Sequence, residues 1–176
     1  RKSFHIFKDI GTISAAELCE IEEKYRSFLP LAEDIKTAVR IVPAKATTCR
    51  RGQEYCILLY SEKKDNYLQN IGYIGEQLDL YLASKNIGSL WFGIGKTEEK
   101  SYNVIMIAIA KVGETKFRKN MYKSKRKTEE EIWTGDKIKN VTEVVRFAPS
   151  ACNTQPWIAE NTNGYIEVFR YKKPGK

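Results

Sequence analysis

The chain has 176 residues, enough for one domain with a core of its own. Hydrophobic residues make up 42% and charged residues 30%, a composition that excludes a disordered or fibrous chain. The net charge is +8, but seven of those charges fall in the acid-free window 116–127, so the basic excess is local.

The longest uninterrupted apolar run, Val104 to Ala110, is far too short to span a bilayer, so no membrane role is expected. No signal peptide is visible, and the sequence opens at Arg1 without a Met, which leaves room for an upstream segment. Four cysteines (Cys19, Cys49, Cys56, Cys152) lack C-x-x-C spacing and stand beside a single His, which argues against zinc and for a reducing, cytoplasmic setting. Cys19 and Cys56 lie on apolar faces and read as small core residues. Cys152 also reads as packing, because no His or Asp neighbours it in sequence to activate a thiolate.

Taken in order, Arg1-Lys2-Ser3 groups two cations and a hydroxyl, a set that suits a phosphate. Ser14-Ala15-Ala16-Glu17 has the form of a capping box, and Leu18, Ile21, Tyr25 and Phe28 predict a core-facing helix closed by Pro30. Val39–Val42 and Tyr55–Tyr60 predict strands, the second buried on both faces, with Arg50-Arg51-Gly52 as an exposed turn between them. Asp65 or Asn66 begins the longest helix, with Leu68, Ile71, Ile74, Leu78 and Leu82 on one face and a left-handed cap at Asn86. Gly72 and Gly75 inside it each cost about 1 kcal/mol against Ala, which points to close packing there.

Gly88 to Gly95 predicts a strand flanked by glycines and does not match the dinucleotide G-x-G-x-x-G pattern. Val104–Ala110 predicts a buried central strand. The basic window ends at Lys127, before Thr128-Glu129-Glu130-Glu131, a second capping box. Ile138, Val141 and Val145 predict a helix ending before Pro149. The polar loop Ala148-Pro149-Ser150-Ala151-Cys152-Asn153-Thr154-Gln155-Pro156-Trp157 follows, then a hairpin turning at Asn161–Gly164. Small residues in that loop let backbone amides and the Ser150 and Asn153 side chains come close to a planar ligand.

The stretch 148–157 resembles the AP-S-x-x-N-x-QPW signature of the FMN-dependent nitroreductase family. Arg1 to Phe7 is similar to that family's R-x-S-x-[RK]-x-F start, and Gly88–Gly95 to its G-[LI]-G-S-x-W-x-G segment. The resemblance implies an α+β, nitroreductase-like fold with a central mixed β-sheet flanked by helices. It implies non-covalent FMN, with Arg1, Lys2 and Ser3 at the phosphate and ribityl chain, and Lys125 and Lys127 as the family's second cationic pair. Leu90, Trp91 and Gly93 would run beside the flavin ring, and Pro149, Ser150, Ala151 and Asn153 would form the loop against it. His5 stands where the family commonly has Arg or Lys under the pyrimidine, and a histidine supplies a cation there only when protonated.

The implied activity is oxidoreduction: NAD(P)H reduces the flavin, which then reduces a nitroaromatic, a quinone or a related acceptor. Hydride chemistry belongs to the cofactor, so no side chain is assigned as catalytic acid or base. Trp91, or the aromatics beside it, is a candidate floor for the substrate side.

The signature lies late in this chain, where most of the family has it early. That order resembles a divergent subfamily with two family-like halves in one chain: residues 1–127 as the first and 128–176 as the start of a second, in one compact unit. A monomeric pseudo-dimer or a homodimer is the expected assembly. Two rivals remain, a non-enzymatic nucleic-acid-binding protein using the basic stretch 116–127, and a flavin-dependent dehalogenase-type relative.

Overall fold

Ser14 starts the first helix, α1 (Ala15–Arg26), because its side chain accepts from the Glu17 N–H at 3.2 Å while Glu17 Oε2 accepts from the Ser14 N–H at 2.9 Å. The helix stops at Arg26, short of Pro30, where the Ser27 N–H folds back onto Lys24 and Tyr25 carbonyls. It buries Ile21 and Tyr25. Cys19, expected in the core, is exposed, because two residues from Ile21 it lies on the opposite side of the helix.

A computed structural model describes residues 1–97 and 103–171 and divides the chain into two compact units, Arg1–Arg118 and Lys119–Lys176. In the first unit β1 (Thr37–Pro43), β2 (Tyr55–Ser61), β3 (Ile87–Trp91) and β4 (Ile105–Lys111) form one sheet in the order β1-β2-β4-β3. Every neighbouring pair is antiparallel, with Val39 opposite Leu59, Leu58 opposite Met106, and Leu90 opposite Ala108. Parallel pairing enters through a bridge from Ser3 to Ser89 beside β3.

The apolar runs in β2 and β4 are continuous because both faces of the sheet are covered. Ile57, Leu59, Ile107 and Ile109 face one cluster with Ile21, Ile74, Leu78 and Leu82 from the helices. Cys56, Leu58, Met106 and Ala108 face another with Phe4, Phe7 and Leu90. Burying each large aliphatic side chain contributes roughly 1.5–3 kcal/mol.

Helix α2 (Tyr67–Ser84) packs on β2 and β3 and buries Ile71, Ile74, Leu78 and Leu82. Leu68 was expected on that stripe but is 56% exposed. It lies in the first turn, before Asn70 and Ile71, where the buried residues of the helix begin. Asn86 ends the helical path at φ 58, the left-handed cap read from sequence. The two helix glycines differ: a Cβ on Gly75 would meet Trp91 Cη2 at 2.6 Å, whereas one on Gly72 would meet nothing within 4 Å. Close packing therefore accounts for Gly75 and not for Gly72.

The second unit holds β5 (Trp133–Gly135), α3 (Thr142–Val145), β6 (Trp157–Thr162) and β7 (Tyr165–Arg170). Its sheet is mixed: β5 runs parallel to β6, and β7 pairs antiparallel with β6. Asn163 (φ 52) and Gly164 (φ 88) make the tight left-handed turn of the expected hairpin. The helix expected before Pro149 is confined to one turn, α3. Thr128–Glu131 opens no helix either: the Thr128 N–H reaches Glu131 Oε2 at 2.8 Å, a single turn closes on Glu129, and the buried Ile132 and Trp133 then lead into β5. Residues 172–176 at the end of the expected second half lie outside the described residues. Among the described residues no helix is long and apolar enough to cross a membrane.

Candidate functional site

In the first unit the segment from Arg1 to Phe7 is laid along the sheet. The Phe4 N–H bonds the Ser89 carbonyl at 2.9 Å, and the Phe7 N–H bonds the Arg51 carbonyl at 2.7 Å. Phe4 and Phe7 are buried and stacked beside the Ser3–Ser89 bridge, and the bend at His5 and Ile6 between them leaves both of those residues exposed. Lys2 Nζ donates to the Lys116 carbonyl at 3.0 Å, and Arg118 Nη1 to the Arg1 carbonyl at 3.4 Å. Two ends of the unit that are over a hundred residues apart in sequence are thus cross-tied by cations.

Leu90 is buried against Phe4 and Met106, and Trp91 is half-buried with its ring on Gly75. Past β3 the Phe92 N–H still bonds the Met106 carbonyl at 2.7 Å, and Gly93 is exposed. The Trp91 Nε1–H donates to Asp79 Oδ2 at 2.9 Å. Asp79 is fully buried, and it also accepts from Ser89 Oγ and from the Arg1 guanidinium, whose Nε and Nη2 each lie 2.5 Å from Oδ2. Glu76 Oε1, one helical turn earlier, lies 3.3 Å from Arg1 Nε. Arg1, Ser89 and Trp91 therefore converge on one carboxylate. Sequence reading missed Asp79; the available signal was an acid four residues after Gly75 and next to the buried Leu78.

In the second unit the loop 148–157 is held by side chains of its own unit. Asn153 Oδ1 accepts from Arg126 Nη1, and Asn153 Nδ2 donates to the Lys125 carbonyl at 2.9 Å. The Lys127 N–H donates to Gln155 Oε1 at 2.7 Å, while Gln155 N–H donates to Ser150 Oγ at 2.8 Å. Gln155 is buried, so it acts as the pin of the loop. Ala151–Asn153 is a single 3-10 turn, Pro149 is half-buried, and Ala151 and Asn153 are exposed. Cys152 (φ 52), Asn153 (φ 53) and Gln155 (φ 47) are all left-handed, a concentration of unfavourable backbone that persists only under such bonding.

Cys152 is exposed at the tip of this turn, so its expected packing role is corrected: its left-handed backbone turns the thiol outward. Cys56 is buried as expected, and Cys49 joins it in the core. Burial pushes the Cys49 thiol up to about 11, with the neighbouring Cys56 adding to the rise, so neither is a nucleophile near neutral pH.

Lys125 is exposed, and Lys127 Nζ bonds the Tyr171 hydroxyl while lying 4.8 Å from that ring's centroid. Arg126, between them, was not singled out from sequence, yet its guanidinium is the group on Asn153. Among the described residues no group of three or more His, Cys, Asp or Glu side chains is placed to hold a metal.

Two comparisons bear on this arrangement. A family model described as "Putative TM nitroreductase" matches residues 1–175, and the chain belongs to that family. By family it is a nitroreductase-type oxidoreductase. Its fold is similar to the crystal structure of a "putative nitroreductase" from Thermotoga maritima, with a TM-score of 0.65 over 94% of this chain and 71% of that one. Identity between the two is 19%, so this likeness speaks for the α+β nitroreductase fold alone. No curated protein matches the chain.

Proposed function

We propose that the protein is an FMN-dependent oxidoreductase that takes reducing equivalents from NAD(P)H and passes them to a nitroaromatic, a quinone or a related acceptor. The observation that carries the reading is the family match from residue 1 to residue 175. The donor set fits the cofactor chemically. Lys2 and Arg118 beside Ser3 offer cations and a hydroxyl suited to a phosphate monoester. In the second unit Lys125, Arg126 and Lys127 adjoin the Ser150–Asn153 turn, a set with the same preference. Leu90, Trp91 and Gly93 would border the ring through their backbone, and Pro149, Ser150, Ala151 and Asn153 would hold the loop that meets it. When bound, FMN supplies the electron and hydride chemistry, and the chain's task is to bind, orient and exclude water. His5 would stand at the pyrimidine side of the ring.

The reading treats residues 1–127 and 128–176 as two nitroreductase-like halves in a monomeric pseudo-dimer, with a homodimer as the alternative assembly and the cytoplasm as its setting. Gel filtration of the full chain with added FMN tests it. Yellow absorbance should elute with the protein at about one FMN per chain, and Asn153→Ala should lower that occupancy, by about tenfold in affinity if one hydrogen bond is lost. FMN eluting free of the protein, together with salt-sensitive retention of nucleic acid, would overturn the reading in favour of phosphate-backbone binding by 116–127.

A further inference from the structure

Asp79 sits at the middle of α2 with no exposed surface, and nothing in the flavin reading uses it. A carboxylate at that depth is sustained only by a paired cation and a full set of donors. Arg1 supplies the cation, while Ser89 Oγ and Trp91 Nε1 supply donors to the two oxygens. Three segments therefore meet on one side chain: helix α2, the strand β3 that follows it, and the segment at Arg1, 78 residues away. Gly75, one turn before Asp79, leaves the space in which the Trp91 ring lies.

We propose that Asp79 is a positioning residue that fixes Trp91 and the Ser3–Ser89 bridge, so that the Leu90–Gly93 backbone is held in one line for the flavin. Arg1 belongs to this anchor: its guanidinium is committed to Asp79 and Glu76, and phosphate recognition in this unit falls to Lys2 and Arg118. The Lys2 ammonium has three hydrogens, of which the Lys116 carbonyl takes one. The ligand half of this inference rests on the FMN reading above; the anchor half does not.

Riboflavin has the same ring as FMN and lacks the phosphate, so the pair separates an anchor from a phosphate ligand. Both are titrated into the full-length protein and its Arg1→Gln and Lys2→Gln variants. Arg1→Gln is expected to weaken both flavins by the same factor, about tenfold, leaving their affinity ratio unchanged, whereas Lys2→Gln lowers FMN alone. An Arg1→Gln variant that loses FMN while riboflavin binding stays the same overturns the proposal.

Hydrogen exchange provides the arm that needs no ligand. The Phe4 amide, bonded to Ser89, should exchange about tenfold faster in Arg1→Gln and in Asp79→Asn, ahead of the amides of β2. Because Asp79→Asn leaves no unpaired buried carboxylate, and Arg1 keeps Glu76 and 15% of its surface exposed, Asp79→Asn is the variant expected to fold if Arg1→Gln does not. A wild-type protein that binds neither flavin refutes the FMN reading, and unchanged Phe4 protection in whichever of the two variants folds refutes the anchor.

Discussion

The two units are stabilised by different means. In Arg1–Arg118 both faces of a four-stranded sheet are covered, and β2 and β4 contribute side chains with almost no exposed surface. In Lys119–Lys176 the three-stranded sheet ends in β7, whose every residue is exposed, and the shape of loop 148–157 depends on Gln155, Asn153 and Ser150 bonds. Apolar burial depends on filled volume, so the first unit should be sensitive to side-chain volume, whether lost or added. Hydrogen bonds are directional, so the second unit should tolerate volume changes and fail when one polar partner is removed.

Ile107→Ala is the sharpest way to break that contrast. It should lower stability by about 2–5 kcal/mol in denaturant unfolding, while Val168→Ala on β7 should stay within about 0.5 kcal/mol. Equal losses would mean that β7 is not the exposed strand described here. Gly75→Ala comes next: its methyl would drive into the Trp91 ring, at a cost of about 1–3 kcal/mol, whereas Gly72→Ala in open space should be neutral or stabilising by up to about 1 kcal/mol. A stabilised Gly75→Ala would show that the indole moves aside.

In the second unit, Gln155→Leu keeps the volume and removes both side-chain bonds, from the Lys127 N–H to Oε1 and from Nε2 to the Asn153 carbonyl, leaving the Lys127 N–H without its partner. The expected cost is about 1–3 kcal/mol, seen as faster exchange at Lys127 and within 150–155 while Ile107 keeps its protection. Uniform loss of protection across the chain would contradict separate means of stabilisation.

The smallest effect concerns pH. The Lys111 ammonium and then the Ser14 N–H hold the Glu17 carboxyl down from 4.5 to about 2. A lowered carboxyl contributes stability that is complete above its unfolded value and lost as pH falls through the folded one. The Tm difference between wild type and Glu17→Gln should therefore be largest near neutrality and shrink between pH 4.5 and about 2. A difference independent of pH would assign the effect to helix propensity instead.

Local signals in the sequence carried well. The Ser14–Glu17 box, the Asn86 cap, the two-faced apolar runs of β2 and β4 and the Asn163-Gly164 turn each depend on residues within a few positions of one another. The α+β nitroreductase fold and the family followed from motifs that are also local. What escaped is long-range. Thr128–Glu131 has the form of a capping box, but β5 takes the chain after one turn because Ile132 and Trp133 are buried. Arg126 could not be preferred over Lys125 and Lys127 until Asn153, 27 residues away, was seen beside it. Asp79 gave no motif, since Arg1 and Ser89 meet it from different segments.

An anaerobic visible spectrum of the purified full-length protein, recorded with FMN and then with NADPH or NADH, tests the central claim most directly. The account predicts a protein-bound flavin band near that of FMN that bleaches on adding the nicotinamide and returns when a quinone or nitroaromatic is supplied. A protein that leaves added FMN unbound, or binds it and never bleaches with either nicotinamide, would contradict the oxidoreductase proposed here.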